Sequence, residues 1–161
     1  MENRKECDCK HCQNACTNKP GWFLPEDINK VTEFLQISEK ELFTKYLLID
    51  YFENNFGDFL KDVFVLSPAT TQNQGEIFPY DPRGECIFFD TTNKKCKIYS
   101  VAPFECREYM HNDNSEVTRK RHVEIAKKWN TEENQKYLKE LYGQDLNVPE
   151  NDGSCSIFNG F

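Results

Sequence analysis

Long apolar stretches are missing from this chain. No segment approaches the ~18 consecutive apolar residues of a membrane span. The charged start, Met1 to Lys10, lacks the apolar run of a secretory leader. A cytoplasmic protein with no membrane partner is therefore expected. Positive charge is also in short supply. Lys and Arg number 20 against 27 Asp and Glu, a net charge of −7, whereas a nucleic-acid surface needs clustered cations to neutralise phosphates. The basic run Arg119-Lys120-Arg121, with Lys127 and Lys128 beyond it, is diluted by Glu116, Glu124, Glu132 and Glu133. It reads as a solvated helix face, and no nucleic-acid partner is expected. Catalytic signatures are absent too: there is no nucleophile elbow, phosphate-cradling glycine loop or dinucleotide fingerprint. Asp81, Glu85 and Asp90 read as solvated carboxylates, and whether the chain is an enzyme stays open.

What is plentiful is aromatic residues and sulfur. Thirteen Phe and seven Tyr against two Met point to an aromatic-rich core. There are eight cysteines. In a reducing compartment clustered cysteines bind metal more often than they form structural disulfides. Cys7, Cys9, Cys12 and Cys16 lie within ten residues, too close for relaxed local bridges. Cys86, Cys96 and Cys106 are spaced ten apart, and Cys155 lies in the tail. All eight are candidate ligands, because thiolates ~2.3 Å from a metal must converge and these spacers let them curl around one centre. Zinc and iron–sulfur clusters both suit such donors. Neither the ferredoxin runs nor the paired CxxC of zinc ribbons occurs, so the metal stays open.

The three histidines and one arginine are secondary candidates. His11, inside the CxxC turn, is expected to point outward, and His122 to be solvent-exposed on a charged helix. His111, five residues after Cys106, is a reserve ligand or a donor behind the ligands. Arg107 could donate to thiolate sulfurs or pair with a surface carboxylate.

Apolar spacing and caps predict the elements. Residues 7 to 19 read as a polar ligand loop, followed by a Pro20-Gly21 turn. Ile28, Val31, Phe34 and Leu35 predict a helix over 25–36. Ser38 with Glu41 caps an amphipathic helix running to about Asn54. Residues 59–67 predict a strand, residues 68–84 a long loop, and residues 86–99 a hairpin with one cysteine per arm. A helical turn is expected at 104–110. Helices follow from Ser115 to Trp129, and from a Thr131 cap to Gly143.

Cys9-Lys-His-Cys12, Cys16, Pro20-Gly21, Pro25-Glu-Asp-Ile28, Gly84-x-Cys86-Ile-Phe-Phe, Cys96-Lys-Ile-Tyr99 and Pro103-Phe-Glu-Cys106-Arg107 together resemble the YkgJ-type cysteine-cluster family. This is the zinc- or iron-chelating CxxCxxCC domain, often labelled Fe–S-cluster-containing. The resemblance covers about residues 7 to 110 and implies metal chelation, without supplying a reaction. The chain departs from the family in three places. It has only Cys16 where adjacent cysteines often end the first group, Ala102 where a basic residue is common, and Tyr109-Met110-His111 in place of the usual proline.

The expected fold is an α-rich α+β domain over 1–161, with helices around a small β-hairpin and the Cys-rich N-terminal loop forming a metal site. Residues 7–110 form its cysteine core and 111–161 a helical C-terminal extension. The two cysteine groups are expected to meet. Three functions fit: an iron–sulfur redox or regulatory module, a structural zinc protein acting through unknown partners, or a metal-dependent enzyme.

Overall fold

A computed structural model describes residues 9–53, 58–59, 61–73, 84–143 and 146. Cys7, Cys155, most of the long loop after residue 73 and the tail beyond 146 lie outside the described residues.

Six helices and two small antiparallel sheets make up the described fold, the α-rich class expected. The helices are α1 (Lys10–Asn18), α2 (Asp27–Leu35), α3 (Glu39–Tyr46), α4 (Phe104–Glu108), α5 (Ser115–Trp129) and α6 (Glu132–Tyr142). Strands β1 (Leu47–Phe52) and β2 (Val63–Pro68) form the larger sheet, in register from Leu47↔Pro68 to Phe52↔Val63. Strands β3 (Phe89–Asp90) and β4 (Lys95–Cys96) form the small hairpin.

Caps bound the helices where local chemistry predicts. The Ser38 hydroxyl accepts from the Glu41 amide at 3.1 Å, and the Thr131 hydroxyl from the Asn134 amide at 3.1 Å. Asn114 caps α5 by accepting from Val117 at 3.0 Å. Gly143 closes α6 at φ +66°, a conformation glycine adopts without a Cβ clash.

Two expectations are corrected. The helix from Ser38 stops at Tyr46, and the segment that should have continued it, Leu47 to Phe52, is a strand. Leu47, Leu48, Ile49 and Phe52 are all buried, so both faces of this strand are covered. A run of that kind carries no alternation, and helix spacing mimics it. The second correction concerns the N-terminus: residues 10–18 form a helix rather than a loop, with Cys9 as its cap.

One continuous core runs from Trp22 to Leu138 and is aromatic-rich. Trp129 is fully buried and donates its indole N–H to the Phe23 carbonyl at 2.7 Å. Gln135 of α6 accepts from the Phe64 amide at 3.1 Å and donates to its carbonyl at 3.0 Å. Its side chain thus stands in for a neighbouring strand at the edge of β2. Phe23 adds a bridge to Leu66, with its amide donating to the Leu66 carbonyl at 2.9 Å. These contacts hold residues 20–24, which follow α1, against the sheet. Among the described residues no helix is long and apolar enough to cross a membrane.

Candidate metal centre

Helix formation at residues 10–18 changes what the first cysteine group can do. Cys9, Cys12 and Cys16 fall at i, i+3 and i+7, one stripe along α1. Seven residues of helix rise about 10 Å, so the stripe spreads its thiols along an axis instead of curling them around a point.

At the upper end, the Sγ atoms of Cys9 and Cys12 and a ring nitrogen of His111 all lie within 4.8 Å of one another. The Cys12 amide donates to the Cys9 sulfur at 3.5 Å. Cys9 and Cys12 are partly exposed, and His111 is exposed. His11 points outward as expected, and its ring lies parallel to Tyr109 with centroids 6.3 Å apart.

At the lower end, Cys16 joins the second group. The Cys86 amide donates to the Cys16 carbonyl at 2.8 Å, and the Gly84 amide to the Asn18 carbonyl at 2.9 Å. Cys86 precedes the hairpin, bridged to Thr70, rather than sitting in its first arm; Cys96 is in the second arm, opposite Phe89. Cys106 rides on α4. Burial pushes the Cys86 thiol up to about 12, and the nearby Cys96 and Cys16 add to that push. Burial likewise raises Cys106 well above the ordinary thiol value, helped by Cys86, Glu105 and Cys16. Backbone amides oppose both shifts, those of Phe88 and Phe89 toward the Cys86 sulfur and that of Gly21 toward Cys106. Amides aimed at sulfur are what a metal-bound thiolate needs, because they offset its charge in a dry site. No three of these deep thiols stand as close together as the upper trio. No disulfide joins any of the six described cysteines.

Donor chemistry fits the implied metals. Four thiols with no oxygen among them suit zinc or iron–sulfur and disfavour calcium or magnesium. Phe88, Phe89 and Ile98 are buried, as is Cys86, while Cys16, Cys96 and Cys106 are partly exposed.

Arg107 does not meet a surface carboxylate. It donates to Asp27 at 3.0 Å, and Asp27 is fully buried at the start of α2, where it also accepts from the Leu24 amide at 3.1 Å. Arg107 therefore ties α4 to α2 beside Cys106. His122 departs from expectation as well. Only 29% exposed, it pairs with Glu105 at 2.6 Å and lies over Trp22 at 4.5 Å. Burial pushes the Glu105 carboxyl up, but His122, the Trp22 amide and Lys19 outweigh it and hold the group below its usual range. The basic run is not a free face either, since buried Arg121 pairs with Asp113 and Arg119 pairs with Asp58.

Sequence reasoning assigned no role at the site to Gly21, Trp22, Asp27 or Tyr109. A Cβ on Gly21 would meet the Glu105 Cβ at 2.8 Å and the Cys106 amide nitrogen at 3.1 Å, so only glycine lets this turn approach α4. The Pro20-Gly21 pair was the available signal.

A protein of Methanocaldococcus jannaschii named "Uncharacterized protein MJ0661" is 30% identical over 99 residues. The match covers 60% of this chain and 42% of that protein, so the chain spans less than half of its relative. No solved structure matches. A family model matches residues 8–123, from the first cysteine group past the last deep thiol, and by that match the chain belongs to the CxxCxxCC family, described as a "putative zinc- or iron-chelating domain".

Proposed function

We propose that this chain is a metal-binding module whose deep thiols, Cys16, Cys86, Cys96 and Cys106, hold an iron–sulfur cluster for a redox or regulatory role. The observation that carries this reading is the meeting of Cys16 with the second cysteine group. The Cys86 amide bonds the Cys16 carbonyl at 2.8 Å; beyond burial, Cys96 and Cys16 push the Cys86 pKa up, and Cys86 and Cys16 push up that of Cys106. Two ligands of one tetrahedral zinc lie about 3.8 Å apart, given bonds of ~2.3 Å. No three of the deep thiols lie within 4.8 Å of one another as the upper trio does, which favours a core of several iron and sulfide atoms between them. When bound, such a cluster supplies one-electron transfer.

The reducing cytoplasm suits these thiols. The net charge of −7 and the acid-paired Arg119 and Arg121 support a role without nucleic acid. Cys7 and Cys155 stay as proposed ligands beyond the described residues. Anaerobic purification tests the reading. Brown protein with iron and acid-labile sulfide, bleaching on reduction, is expected. Colourless protein with stoichiometric zinc on the deep thiols would replace it with a structural zinc role.

A further inference from the structure

We propose that Cys9, Cys12 and His111 form a second, separate site that takes one zinc-class divalent ion at the start of α1. Its first support is spacing. Their three ligand atoms lie within 4.8 Å of one another, close to the about 3.8 Å that a single tetrahedral ion imposes on its donors. Helix geometry keeps this trio apart from the deep thiols. Cys16 lies about 10 Å along the axis from Cys9, and it is tied to Cys86 by a 2.8 Å backbone bond. One mononuclear centre cannot draw on both ends of the stripe.

The trio is also held in place before any ion arrives. His11 stacks on Tyr109 at an interplanar angle of 3°, which ties the start of α1 to the segment that carries His111 two residues later. Cys9 is the cap of α1, with the Cys12 amide on its sulfur. The positive end of a helix favours a thiolate at that position. One imidazole and two thiolates are a borderline-soft donor set that suits zinc over magnesium or calcium. A tetrahedral ion on these three takes a fourth donor from elsewhere. His111 is exposed and Cys9 and Cys12 are partly exposed, so an ion on the trio exchanges with solution.

The second site presupposes that the cysteines hold metal at all. Its test is metal analysis of the full chain, purified anaerobically, beside His111→Ala and His111→Cys. The wild type should hold one ion beyond the deep centre. His111→Ala should lose that one equivalent and keep the deep metal and its sulfide unchanged, with the far-UV circular dichroism of the wild type. His111→Cys should retain the ion and, loaded with cobalt(II), show a stronger thiolate-to-cobalt band. A His111→Ala protein that keeps all its metal, or loses both kinds together, overturns the second site alone. Wild-type protein that binds neither iron nor zinc overturns the chelation reading itself.

Discussion

The two ends of the cysteine stripe on α1 make an instructive pair, because the same helix serves both. At the lower end Cys16 meets the buried Cys86, with further thiols on a hairpin and on α4. At the upper end Cys9 and Cys12 meet one loop histidine in the open. Burial raises the pKa of Cys86 and Cys106, so a metal there must displace protons to bind. In the proposed two-site arrangement, the buried Cys86 would mark the centre that supports the fold, and the exposed His111 the one that exchanges its ion.

The strongest way to break this contrast is Cys86→Ser. It should empty the deep centre and cost ~3 kcal/mol or more, a drop in Tm of roughly 6–12 °C by calorimetry. An unshifted melting curve would make the two regions equivalent. Next comes Gly21→Ala, whose methyl must push Glu105 and Cys106 outward from 2.8 and 3.1 Å. A loss of about 1–3 kcal/mol is expected, with poorer retention of deep metal and normal cobalt(II) binding at the upper trio.

A milder effect should follow from pH in the metal-free chain. Cys86 has its folded pKa raised from 9.0 to about 12. Below about pH 9 the thiol is protonated in both folded and unfolded chains, and its stabilising contribution is complete. As pH rises from there toward 12, the unfolded chain ionises first and stability falls. Urea midpoints that stay flat over that window would argue against enclosure. His111→Ala should do least to the fold, within about 0.5 kcal/mol, because its side chain is exposed.

Much of the fold was legible wherever one turn of chain decides the outcome. Ser38 and Thr131 start helices and Gly143 ends one, through bonds to residues three or four away and at the expected positions. Leu47 to Phe52 was misjudged because a strand covered on both faces has no alternation to read. The N-terminal helix was missed because its polar, Cys-rich sequence buries no residue and so shows no apolar period. Arg107 and His122 found partners at Asp27 and Glu105, 80 and 17 residues away. No local pattern announces a pairing of that kind.

By itself the sequence determined which atoms are available: soft sulfur donors in two groups, helix caps around them, and an aromatic stock large enough to keep water out. Tertiary structure decided how those donors are shared. Whether Cys9 and Cys16 serve one centre or two depends on α1 being a rigid rod, and on which end of it the segments carrying Cys86, Cys106 and His111 reach. Ligand identity is a property of single residues, but convergence depends on contacts between segments 70 to 102 residues apart (Cys16 to Cys86, Cys9 to His111), which only packing brings together.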